Sequence, residues 1–171
     1  MVSTETIEEY AEQLRITVAN PEWGFTVEEQ AEQVAAYKHR MYLFRDRIVF
    51  VPGVPEFLPG DHGIDPAMGN DLCWGLTPRG GGEPDMSKHA HYDSKWGRGH
   101  EVSHILFNLR WTRPMYQQVK DSTGGKVEVA HLCVGRPGCV NPHHLIWESA
   151  SKNRADAARR RGHLVRERRA L

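Results

Sequence analysis

Three cysteines and ten histidines stand out in a chain of 171 residues. Cys133, Cys139 and the pair His143-His144 fall within twelve residues of one another, while the third cysteine, Cys73, lies well upstream. Three thiols and one imidazole make a standard closed, four-coordinate set for Zn²⁺, whose borderline softness suits sulfur and nitrogen donors. The fourth ligand would be one of the two adjacent histidines. Zinc also explains the odd cysteine number, because a disulfide would leave one thiol over. A domain of short strands buries little apolar area, so a bound ion would contribute folding free energy.

Positioning such a site requires elements on both sides of the cysteine loop. Val127–Leu132 alternates like a strand, Leu145–Trp147 is a second short β-like run, and Ser149 or Ser151 can cap a helix over about Lys152–Arg161 that Gly162 would stop. Upstream, Leu72–Leu76 and Lys88–Tyr92 read as short strands separated by the Gly80-Gly81-Gly82 turn. Val102, Ile105, Leu106 and Leu109 mark a helix expected to end before Pro114. At the start of the chain, Ile7, Tyr10, Ala11 and Leu14 fall on one helical face that Pro21 must end. Thr26 with Glu29 is a capping box opening a second helix, with an apolar stripe through Val27, Ala31, Val34, Tyr37, Met41 and Phe44. Between the helices and the first strand, residues 52–70 are rich in Pro and Gly and read as a long loop or linker. The expected organisation is an α+β protein. It has a helical region at 1–51, the 52–70 loop, a zinc-binding domain at 71–163 and a basic tail at 164–171.

Lys plus Arg and Asp plus Glu each number 22, so the formal net charge is zero and a uniformly basic nucleic-acid coat is excluded. The zero is a sum of unequal parts: residues 1–33 carry −7, residues 152–171 carry +6 and the middle +1. Such asymmetry is a cue for an acidic or nucleic-acid partner at the basic end. The apolar runs, such as Ile48–Val51, are too short to cross a bilayer. Met1–Arg15 lacks the basic start and apolar stretch of a secretion signal, so a cytoplasmic protein is expected.

The ordered residues His131-x-Cys133, Cys139-x-Asn141-Pro142-x-His144-Leu145 and Asn153 resemble the zinc-binding HNH endonucleases common in phages and the His-Cys box homing endonucleases. Ala130-His131-Leu132-Cys133 and His144-Leu145-Ile146-Trp147-Glu148-Ser149 are especially similar to the His-Cys box pattern. The resemblance spans about residues 72–163. It implies a ββα-metal (His-Me finger) core acting as a metal-dependent DNA endonuclease, with Cys73, Cys133, Cys139 and His144 holding a structural zinc. By the same resemblance His131 would be the general base and Asn153 would hold a catalytic Mg²⁺. Arg98 would clamp the phosphate, with Lys95 the second choice. Arg154, Arg159, Arg160 and Arg161 would follow the backbone of double-stranded DNA, and a homodimer would suit a palindromic target. The alternative is a zinc-stabilised DNA-binding module without cutting activity.

These residue types suit that chemistry on physical grounds. Hydrolysing a phosphodiester needs an activated water and neutralisation of charge as the bond breaks. A histidine titrating near neutrality can take the proton, and an amide oxygen is a hard ligand for a hard cation. Asp156 is a substitute ligand or a partner of Asn153. His100 and His104 read as structural residues or weak phosphate contacts. Five residues separate Cys133 from Cys139, one more than the usual four, and His163 stands where arginine is usual.

Overall fold

The computed structural model describes residues 2–158. Helix α1 (Thr4–Val18) is capped by Ser3 and buries Ile7, Ala11, Leu14 and Val18. Helix α2 (Val27–Arg47) opens on the expected capping box, in which Thr26 accepts from the Glu29 amide and Glu29 accepts from the Thr26 amide. Only the second half of its stripe is core. Tyr37, Met41 and Phe44 are buried, whereas Val27 is 77 % exposed and Ala31 is exposed as well. The physical reason is reach: α1 is shorter than α2 and covers only part of it.

Three two-stranded antiparallel sheets follow. β1 (Ile48–Phe50) pairs with β2 (Trp74–Leu76), β3 (His91–Asp93) with β4 (Gly97–Arg98), and β5 (Val127–His131) with β6 (Leu145–Ser149). The last pair runs in unbroken register from Val127 opposite Ser149 to His131 opposite Leu145. A helix over residues 150–158, here α5, follows β6 at once, and Ser149 Oγ accepts from the Lys152 amide at 3.2 Å. The expected strand, cysteine loop, strand and helix are thus all present. Arg159, Arg160, Arg161, Gly162 and the basic tail lie outside the described residues.

One core serves the helices and the sheets. Tyr37, Met41 and Phe44 cluster with Leu76, Tyr92, Val102, Ile105, Phe107, Val129 and Leu145. The Tyr37 hydroxyl donates to the Leu106 carbonyl, and Arg47 at the end of α2 donates to the carbonyls of Thr77, Tyr92 and His91. Arg40 pairs with the buried Asp93 at 2.8 Å. The N-terminal helices therefore pack on the same body as the cysteine cluster's supporting strands.

The expected helix around Val102–Leu109 begins as a short α-helix, α3 (Gly99–Ser103), and continues as a π-helical turn over His104–Leu109. It ends at Arg110, a non-glycine residue with φ 55°. Pro114 does not end this helix; it occupies the first turn of a separate one, α4 (Arg113–Ser122), which burial of Met115 and Tyr116 anchors. Proline is tolerated there because the first-turn amides have no intrahelical acceptor.

The π-turn buries His104, whose Nδ1 accepts from Asn108 Nδ2 at 3.1 Å and whose Nε2 has no hydrogen-bond partner among the described residues. Burial pushes its pKa from 6.5 down to about 4. The unfolded chain then binds the extra proton first, so stability is complete above about pH 6.5 and falls as pH drops toward the folded value. His104→Gln removes this term. Between pH 7 and 5 the wild type should lose about 2 kcal/mol more unfolding free energy than the variant. Urea titrations at the two pH values measure it, and parallel losses in both proteins would refute the assignment.

Candidate metal centre and adjoining cavity

The cysteine loop folds back so that Cys73, Cys133, Cys139 and His144 meet, all buried, with their ligand atoms within 4.8 Å of one another. His144 Nδ1 lies 3.7 Å from Cys73 Sγ and 3.4 Å from Cys139 Sγ. A tetrahedral zinc with ordinary bond lengths spaces its ligand atoms about 3.5–3.8 Å apart, so the cluster already has the size of a metal site. The choice between the adjacent histidines is settled by position. His144 is fully buried in the cluster, while His143 is exposed.

The surroundings fix the ring's chemistry as well as its place. His144 Nε2 donates to the Asn70 carbonyl at 2.8 Å, which leaves the Nδ1 lone pair facing the sulfurs. Asn141, also fully buried, donates through Nδ2 to the carbonyls of Asn70 and Leu72. Its Oδ1 accepts from the His143 amide and so caps the 3₁₀ turn Pro142–His144. Segment 52–70 is a loop, but a packed one. Phe57 bridges to Cys133 and sets its ring edge-on to His144 at 4.9 Å. Gly138 admits no side chain: a Cβ there would lie 2.8 Å from the Lys88 carbonyl and 2.9 Å from that of Asp85.

The thiols cannot share charge among themselves. Cys73 is drawn well below the usual thiol range, chiefly by hydrogen bonds from Cys133 and Cys139. Cys133 is pushed up chiefly by its bond to Cys139, and burial pushes Cys139 up to about 12. Three buried thiols this close oppose one another's ionisation, and a dication among them would let all three ionise. The residues therefore fit a metal ion, and their donor types fit zinc.

Next to this centre lies a cavity of about 280 Å³ lined by His131, Asn153, Arg98, Glu128, His100 and Lys120, among others. The three residues expected to act on a phosphodiester thus come from β5, α5 and the β4–α3 junction to one wall. His131 Nε2 donates to the Cys139 carbonyl at 2.9 Å, so in the neutral ring Nδ1 carries the lone pair. The residue that orients the imidazole is itself a ligand of the metal cluster. Arg98 is exposed and forms no ion pair with a described residue. His100 stacks on His131 at 4.9 Å between ring centroids, and burial holds its pKa near 2, so it stays neutral. His89 closes a triangle of tilted rings, 4.8 Å from His100 and 5.9 Å from His131.

Several expected residues are elsewhere. Lys95 does not line the cavity, whose cationic side chains are Arg98 and Lys120. Asp156 is buried at the base of α5, where Lys152 bridges it at 3.0 Å to Glu148 at 2.9 Å. It is therefore a structural partner outside the cavity. His104 is likewise outside, whereas His100 is inside. Arg154 is exposed on α5, and Arg159, Arg160 and Arg161 fall outside the described residues. Sequence reading missed Glu128, Tyr116 and Lys120. Alternation along Val127–Leu132 gave no reason to prefer Glu128, and Tyr116 and Lys120 belong to the helix that Pro114 concealed. Among the described residues no helix is long and apolar enough to cross a membrane. Comparison of the chain with protein-family models, curated proteins and solved structures finds no match.

Proposed function

We propose that the protein is a metal-dependent DNA endonuclease with a ββα-metal core and a structural zinc in the Cys73, Cys133, Cys139 and His144 cluster. One observation carries the reading: His131, Asn153 and Arg98, the last with no ion pair among the described residues, line a single cavity beside the Cys73, Cys133, Cys139 and His144 cluster. A folded core alone has no need to gather those three groups.

In this reading a water attacks the phosphorus and gives its proton to His131 Nδ1. The bond to the 3′ oxygen breaks, leaving a 5′ phosphate and a 3′ alkoxide that takes a proton from solvent. Arg98 holds a phosphate oxygen through charge-assisted hydrogen bonds. Asn153 Oδ1 would hold a divalent cation such as Mg²⁺, which would supply charge neutralisation for the reaction. The Cys139 carbonyl keeps His131 in the tautomer that leaves Nδ1 basic. Cys73, Cys133, Cys139 and His144 would hold zinc, which would fix the loop that carries this carbonyl.

Basic residues on α5 and beyond, Arg154 with Arg159, Arg160 and Arg161, track the DNA backbone, which makes affinity fall steeply with salt. The net charge of −7 over residues 1–33 would repel such a ligand. The test is nicking of supercoiled plasmid by the zinc-loaded full chain. Conversion to open-circle or linear DNA with Mg²⁺, and none when Mg²⁺ is omitted, is the expected result. DNA binding without conversion would instead favour a non-cutting zinc module.

A further inference from the structure

The cavity contains a carboxylate that the reaction above does not use. Glu128 on β5 accepts a hydrogen bond from Asn153 Nδ2 at 2.8 Å. It is half-buried and has no Lys or Arg within ion-pair distance among the described residues. Its cross-strand neighbour in the β5–β6 ladder is another acid, Glu148. Glu148 differs in having Lys152 as its cation. The other acid of the cavity, Glu101, is paired with Arg113 at 3.5 Å. Among the described residues Glu128 is thus a cavity acid with another acid opposite it in the ladder and no ion-pair partner, its one hydrogen bond here being the one from Asn153.

The contact also determines which way Asn153 points. A carboxylate can only accept, so the end of the Asn153 amide that meets it must be the NH₂ group. The oxygen is then turned to the opposite side, where no described residue donates to it. A side-chain amide without this constraint could present either end to the cavity, and only the oxygen can bind a cation.

The geometry points to Glu128 as a positioning residue that locks the Asn153 amide with Oδ1 toward the catalytic cation. This rests on the nuclease reading for the identity of the cation's role, but not for the hydrogen bond itself. The proposal distinguishes Glu128 from a direct ligand, since one of its oxygens is committed to Asn153.

The test uses the zinc-loaded full chain without DNA, titrated calorimetrically with Mn²⁺ as the probe, alongside Glu128→Ala and Glu128→Gln. Zinc content and near-ultraviolet circular dichroism check that each variant is folded. Glu128→Ala should weaken Mn²⁺ binding by about 10–100-fold, the usual cost of losing a residue that orients a ligand. Glu128→Gln keeps an accepting oxygen and should recover most of that loss. In ¹⁵N spectra the Asn153 side-chain NH₂ pair, identified by its disappearance in Asn153→Asp, should show slowed hydrogen exchange that Glu128→Ala abolishes. Equal losses in both Glu128 variants would make it a ligand and overturn the proposal, as would wild-type affinity in Glu128→Ala. An NH₂ pair that behaves as expected in a wild type that binds no Mn²⁺ would sink the metal-dependent reading while leaving the hydrogen bond intact.

Discussion

His131→Ala should slow plasmid cleavage by about 10²–10⁴-fold, the contribution expected of a well-placed general base, while leaving DNA affinity and zinc content near wild type. The reason lies in burial and one directed contact. The ring is buried at the end of β5, and its Nε2–H is held by the Cys139 carbonyl, so the lone pair of Nδ1 is fixed rather than averaged over two tautomers. Losing the ring removes the proton acceptor but neither Arg98 nor Asn153, which is why binding should survive. His131→Gln is the sharper control, because it retains a hydrogen-bonding group of similar reach without a base near neutrality. Quenched time courses on supercoiled DNA at saturating Mg²⁺ measure the rate, and gel shifts in EDTA measure affinity. A His131→Ala protein that cuts at the wild-type rate would remove the proposed mechanism altogether.

Much of this site was legible in the sequence because its chemistry is local. Cys133, Cys139 and His144 come from one loop, and His131 and Asn153 flank it on the strand and helix whose patterns are plain. Cys73 was recoverable by counting thiols. What was not legible depends on partners distant along the chain. Nothing about Phe57 or Asn70 marks them as packing on His144; only the folded 52–70 segment brings them there. The helix Arg113–Ser122 was hidden because proline ends helices more often than it begins them, and its Tyr116 and Lys120 went with it. The upper half of the α2 stripe misled for the opposite reason: periodicity says which residues share a face, not whether anything covers that face.

Removing the structural metal should have a larger effect than any cavity substitution, and of a different kind. Metal analysis of the purified chain should return about one zinc, bound by the four residues of the cluster. Apparent binding free energies at structural zinc sites run to about 10–16 kcal/mol, comparable with the whole stability of a domain of this size. The strands here are three to five residues long where they frame the cluster, and the 52–70 loop is tied to it by Phe57, Leu58 and Asn70. Apart from the shared core reached through Leu76, Val129, Val140 and Leu145, little else holds that half of the molecule. Cys133→Ser or Cys139→Ser should therefore leave a chain that binds no zinc, loses its near-ultraviolet signal and is cut rapidly by protease within residues 52–145. The two metals then separate by reversibility. Brief EDTA treatment should strip a cation bound at Asn153, and added Mg²⁺ should then restore cutting. Prolonged 1,10-phenanthroline removes zinc, after which Mg²⁺ alone should restore nothing, because the Cys139 carbonyl no longer holds His131. A cysteine variant that keeps its fold and its activity without zinc would show that the cluster is merely three packed thiols and a histidine.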